Sequence, residues 1–391
     1  MREIVMLAGP SEVDMRVIQA TCRPSINHLD RRMVAIMDET CQILGEIFQT
    51  KGEIILLVSS ARGGLEAAIT SIMEPGEEII IVSSGAFGRM LESIAKRIGA
   101  KVRALTFPNG HPIDLGEVEE VVEGTKAKAL ATVHNETSTG ALNPAAELGE
   151  LCRENGLLYI LDTVSSLGGV EVRTDDWGVD LCITGSQKCL GCLPGLAIVS
   201  VSDRAWKVMK DRKTTAPSFY FDLLRWLEMW VPRERGGQVV FGYRRQPVTM
   251  ATHLVYALRE AVAMIEEEGL AKRFQRHLVN GGAFKAAVRA LGLETVPIVP
   301  EIESPTVTAF YPPEGIAAPE LQRVMRERYG VQVSGGLDEL SGRILRVGHM
   351  GNTASPEYLV PTVSALELSL RELGCEVGVG SGLVALREAY G

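Results

Sequence analysis

The chain has 391 residues, enough to bury a sizeable core and long enough that one core normally divides into two domains. Its 40 Lys and Arg against 49 Asp and Glu give a formal charge of -9, which repels a polyanion, so nucleic acid is not expected as a partner. No apolar stretch reaches the length of a signal-peptide core or a membrane span, and seven cysteines, an odd number, read as reduced thiols; the expectation is a cytoplasmic protein that avoids the membrane.

Past an N-terminal arm, residues 1–15, short apolar runs alternate with amphipathic helical stretches: "EIILLVSS", "GGLEAAITSIM", "EEIIIVSS", "RMLESIAKRIGA", "KVRALTF". The alternation continues through "AKALATVH", "NPAAELGELCRENG", "LLYILDTVSS", "DLCITGSQ" and "LAIVSVS". Strands alternating with helices predict an α/β domain with a mostly parallel sheet covered on both faces, over residues 16–260. The segment from "TMATHLVYALREAVAMIEEEG" to "AAVRALG" has helical periodicity over a length that suits two consecutive helices. The remainder reads as a small α+β domain, residues 261–391, and no internal repeat is present.

In open parallel sheets, ligands bind beyond the carboxyl ends of the strands. Polar and glycine-rich clusters stand there in this chain: "VSSARGG", "VSSGAFG", "HNETSTG", "LDTVSS" and "TGSQK". The last precedes Cys189 and Cys192, whose C-x-x-C spacing suggests a redox pair or half a zinc site. Six dispersed histidines and no second C-x-x-C leave a zinc site without further ligands, so no metal is expected and the pair is read as small packing residues. Lys188 alone reads most simply as a surface lysine, but a partly desolvated lysine beside a carbonyl can form an imine. Asp162 ends the apolar strand "LLYILD", where an unpaired carboxylate is costly without a cationic partner. A lysine and an acid at two strand ends match the imine lysine and pyridinium counter-ion of a pyridoxal phosphate site.

"LDTVSSLGG" followed by "TGSQKCLGCLPGLAIVSVS", with "HNETSTGALNP" and "RVGHMG", resembles the class V aminotransferases of fold type I, over nearly the whole chain. Within them it is similar to the alanine-glyoxylate and serine-pyruvate branch. The resemblance implies a seven-stranded, mostly parallel large domain that binds pyridoxal 5'-phosphate and a small C-terminal α+β domain. It also implies a homodimer and a ping-pong transfer from alanine or serine to glyoxylate or pyruvate.

Carried over by motif, Lys188 becomes the Schiff base lysine and Asp162 the partner of the pyridine nitrogen. Phe87 falls where relatives stack an aromatic residue on the ring, although it can also act as a hydrophobic staple. Ser60, Ala61 and Arg62 align with the phosphate cup, beside Gln187 as a further donor; Arg62 can serve the phosphate or an anionic substrate. Thr137 aligns with the residue near the ring hydroxyl, or caps a helix. Tyr243 and Gln246 align with residues that complete the phosphate site of the neighbouring subunit, and Arg346 with the arginine that grips the α-carboxylate.

Other readings are weaker. Cysteine desulfuration needs a cysteine that "VQVSGGLDELSGRI" lacks, and pyridoxamine-pyruvate aminotransferases, the second reading, carry an acid at Ser60 and an arginine at Leu337. A dinucleotide oxidoreductase needs a complete G-x-G-x-x-G fingerprint, which is absent. A non-catalytic protein of this fold would be expected to lose the lysine or the acid.

Overall fold

The computed structural model describes residues 3–230 and 244–391 in full, with the backbone of residues 233–235 and 238–240. The apolar runs form one sheet of seven strands: β1 (Glu53–Val58), β2 (Glu78–Ser83), β3 (Lys101–Thr106), β4 (Ala129–Val133), β5 (Leu158–Asp162), β6 (Leu181–Gly185) and β7 (Leu196–Val201). Their spatial order is β1-β7-β6-β5-β4-β2-β3. Neighbours pair in parallel except β7, which is antiparallel to both β6 and β1. Loop length is consistent with the exception: a parallel pair needs a crossover of a dozen or more residues, whereas β6 and β7 are joined by a ten-residue, helix-free connection, 186–195. That connection carries Lys188.

Strands β4 to β7 are buried at every residue, as strands sandwiched between helix layers must be, while the edge strand β3 is largely exposed. Helices Ala61–Ile72 and Ala86–Arg97 start just beyond the carboxyl ends of β1 and β2. Their first turns therefore point to the same edge of the sheet as Asp162 and Lys188.

The first core includes Phe48, Trp226 and Trp230 and extends to Ile265 of helix Thr252–Glu268. Helix Leu270–Ala290 carries Phe284 and Val288 into a second core with Leu321, Leu345, Val347 and Leu366. A three-stranded antiparallel sheet, in the order Val307–Phe310, Leu345–Gly348, Ser334–Gly335, belongs to this C-terminal unit. The N-terminal segment Ile4–Val5 pairs in parallel with Val331–Gln332, so the arm is tied to the second unit before it crosses to the large sheet. Among the described residues no helix is long and apolar enough to cross a membrane.

Phe284 is fully buried, with its ring centroid 5.8 Å from that of His349. Phe284→Ala is expected to destabilise the chain by about 3–5 kcal/mol, read from urea unfolding, because it leaves a cavity in the smaller core.

Candidate active site

At the carboxyl edge of the sheet the strand ends surround a cavity of about 330 Å³. Ser60, Ala61, Arg62, Phe87, Thr137, Asp162, Gln187 and Lys188 all line it, joined by Gly9, Asn135 and Ser165. Residues read separately from five strand ends thus share one space. Two larger surface clefts, of about 710 and 980 Å³, contain neither Lys188 nor Asp162.

Asp162 closes β5, in register with Val133 and Ile183 of its neighbours. The residue is 3% exposed, and its Oδ1 accepts the Val164 N–H at 2.9 Å. Burial, only partly offset by that bond, pushes its pKa up to about 7. Lys188 is buried too, and its Nζ donates to the Ala8 carbonyl rather than to Asp162. Burial pulls the Lys188 pKa down to about 8. The same loss of water thus draws both pKa values toward neutral pH.

The turn around Lys188 is pinned from several sides. Ser11 N–H donates to the Gln187 carbonyl and Ser11 Oγ to the Lys188 carbonyl, both at 2.9 Å. Arg273, buried on helix Leu270–Ala290, donates Nε to the Gly168 carbonyl and Nη2 to the Cys189 carbonyl, each at 2.7 Å. Gly9 has φ +117°, and a Cβ there would lie 2.2 Å from Lys188 Cε and Nζ. A side chain there would push the end of the lysine aside, and the positive φ itself favours glycine.

Opposite the lysine, helix Ala61–Ile72 opens at Ser60, whose side chain makes no cap hydrogen bond. The first-turn N–H groups of such a helix suit an anion. Gln187 Oε1 is buried without a partner, and rotating the amide would present its NH₂ group instead. Arg62 is exposed and also borders an adjoining hollow of about 250 Å³. Its charge opposes protonation of Lys188.

Thr137 Oγ1 lies 2.5 Å from Ser165 Oγ, and the Thr137 carbonyl accepts Arg346 Nη1 at 3.1 Å. Arg346 stands just behind the cavity lining, with Nε donating to the Gly335 carbonyl at 2.8 Å. Burial brings its pKa down to about 10, still cationic at neutral pH. Gln246 is buried away from this cavity, where Nε2 donates to the Arg244 carbonyl. Tyr243 lies outside the described residues.

Cys189 and Cys192 are both fully buried, with thiol pKa values pushed up to about 12 by desolvation. They pack, Cys189 beside Ala8, Val307 and Met350. The sequence gives no sign of Arg273 or of the buried Glu136 at the site, nor of the contacts that Gly9 and Ser11 make from the arm segment "LAGPSEV", which resembles a substrate-lining stretch of relatives. Gly9, Ser11 and Arg273 act through contacts between segments far apart in the chain; Glu136 stood in a motif already singled out and was passed over for Thr137.

Residues 15–341 match the aminotransferase class-V family. The solved ureidoglycine-glyoxylate aminotransferase of Bacillus subtilis is 32% identical, with a TM-score of 0.92 over 100% of this chain and 98% of that one. Alanine-glyoxylate aminotransferase from Nostoc is 36% identical, with a TM-score of 0.87 over 95% and 96% of the two chains. Pyridoxamine-pyruvate aminotransferase from Mesorhizobium loti is 27% identical, with a TM-score of 0.92 over 100% and 97%. The family match reaches from the first helix into the small unit and includes every strand that frames the cavity. The chain belongs to the class V aminotransferase family and is a transaminase of fold type I.

Proposed function

We propose that this chain uses pyridoxal 5'-phosphate to move an amino group from a small amino acid, alanine or serine, to a 2-oxo acid, glyoxylate or pyruvate. The observation that carries the reading is a buried carboxyl with one hydrogen bond facing the same cavity as a buried lysine of lowered pKa. The residues present fit the cofactor. Asp162 lacks a cation that a protonated ring nitrogen would provide, and an uncapped helix start at Ser60 suits a phosphate. Phe87 offers a ring face, and Thr137 a hydroxyl.

When bound, pyridoxal phosphate supplies the carbonyl that takes up an amine and the conjugated ring that accepts the electron pair left at Cα. Lys188, in its free-base form, would take the proton from substrate Cα and, as general acid, deliver it to the carbon that was the carbonyl of the cofactor. Asp162 holds positive charge at the buried end of the cavity. Ser60, Ala61 and Arg62 receive the phosphate with Gln187. Arg346 orients the substrate by its α-carboxylate, for which a guanidinium fork is suited.

The two relatives named for glyoxylate favour that acceptor. We further infer a homodimer in the cytoplasm. All seven cysteines are free, five of them buried, which suits a reducing compartment. A specialised amine donor, pyridoxamine among them, is the second reading; where Arg62, exposed at the cavity rim, meets the substrate instead of the phosphate, it favours a donor with an anionic group.

Borohydride treatment of the reconstituted enzyme should leave the cofactor on the peptide that carries Lys188, read by mass spectrometry. Recovery on another lysine removes the assignment. In a half-reaction screen, alanine or serine should bleach the visible band and glyoxylate or pyruvate restore it; if no amine bleaches it, the proposed transfer fails. Gly9→Ala should slow exchange of the substrate α-deuterium with solvent roughly 100-fold, since a shift of about 1 Å in a catalytic group can cost that factor.

A further inference from the structure

Glu136 ends the short strand Asn135–Glu136, is fully buried, and does not line the cavity. Four donors nevertheless converge on it. The Phe87 and Gly88 N–H groups donate to Oε2 at 3.1 and 3.2 Å, and the Ser138 N–H and Oγ donate to Oε1 at 3.0 and 2.5 Å. Ser138 Oγ in turn accepts the Ala86 N–H at 2.9 Å. The opening N–H groups of helix Ala86–Arg97, which has no cap side chain of its own, are therefore met from the turn after β4.

A carboxylate stands where the helix dipole favours negative charge. Three of its four partners are N–H groups that can only donate, so the geometry favours the ionised form against the burial that pushes the Glu136 pKa up. The fit is tight, because a Cβ on Gly85 would lie 2.5 Å from both Glu136 Cγ and Ser138 Oγ. On one side of this clamp Phe87 faces the cavity. On the other, Thr137 lines the cavity with its side chain and receives Arg346 with its carbonyl. The charge of Glu136 also favours the cationic form of Arg346.

We propose that Glu136 is a positioning residue: its carboxylate fixes Phe87 against the cofactor ring and supplies the buried counter-charge that keeps Arg346 in place for a substrate carboxylate. This rests on reading the cavity as a pyridoxal phosphate site. Glu136 touches neither substrate nor cofactor; it acts on Phe87 through the hydrogen bond it accepts and on Arg346 through its charge and the adjoining Thr137 carbonyl.

The test compares wild type with Glu136→Gln, Gly85→Ala and Asp180→Asn. Glu136→Gln keeps the size but removes the charge and turns an NH₂ group toward donors. Gly85→Ala keeps the acid and displaces it. Asp180 is a buried carboxylate that accepts the Tyr159 N–H at 3.0 Å just before β6, at the opposite edge of the sheet, and controls for general destabilisation.

In the apoproteins, amide hydrogen exchange at Phe87 and Gly88 should quicken roughly 10-fold in the first two variants, as loss of a charge-assisted hydrogen bond implies, and stay unchanged in Asp180→Asn. In the reconstituted proteins the visible circular dichroism per bound cofactor should fall in the same two variants. Their KM for the amino donor should rise roughly 10-fold, with a smaller change in kcat, the mark of weakened substrate holding. If a cofactor-loaded wild type is obtained and both variants keep wild-type exchange, dichroism and KM, the positioning role is overturned while the cofactor reading stands. A loss of thermal stability matching Asp180→Asn, without the other changes, also overturns it. A wild type that takes up no pyridoxal phosphate removes the cofactor reading and the proposal with it.

Discussion

A carboxyl group buried at the end of a central strand, with one N–H donor, is the constraint on which the rest of the site depends. Leaving a charge in such a place unpaired costs several kcal/mol, and Asp162 relieves it by rising to a pKa of about 7. Lys188, equally buried, could have neutralised it by direct contact. Its Nζ instead bonds the Ala8 carbonyl, so the acid and the amine stay separate in one cavity. That separation leaves the carboxyl to take a cation and the amine to carry a proton.

Topology makes the separation durable. Asp162 is fixed by pairing on both sides within β5, whereas Lys188 rides on the ten-residue connection, 186–195, that leads into the antiparallel β7. Such a connection alone would be soft. It is held by Ser11 from the N-terminal arm and by Arg273 from the helix that leads into the second core. Both come from segments distant in the chain, so the position of the lysine reports on the packing of the arm and the C-terminal unit as well as on the sheet.

The architecture was legible in the sequence because buried strands are nearly continuous apolar runs, as six of the seven are; the exposed edge strand β3, "KVRALT", is the exception. Lys188 and Asp162 were legible because polar residues at the ends of such runs stand out against their surroundings. The odd direction of β7 was hidden, since "LAIVSVS" carries no sign of orientation. Glu136 was hidden for another reason. Its role lies in contacts with Phe87 and Gly88, which a one-dimensional pattern does not connect, and its motif equally suited a helix cap. Gly9 shows the same limit: its side-chain space is taken by a residue far along the chain.

The most direct measurement is the titration of the Asp162 carboxyl by isotope-edited infrared spectroscopy, with Asp162→Asn to assign the band. In the apoprotein the protonated carboxyl band should fade with a midpoint near pH 7, ionised above and protonated below. On reconstitution with pyridoxal phosphate, a cation facing Asp162 should hold it ionised well into the acid range, so the band should vanish at neutral pH. An Asp162 band that titrates at the same pH with and without bound cofactor would contradict the account.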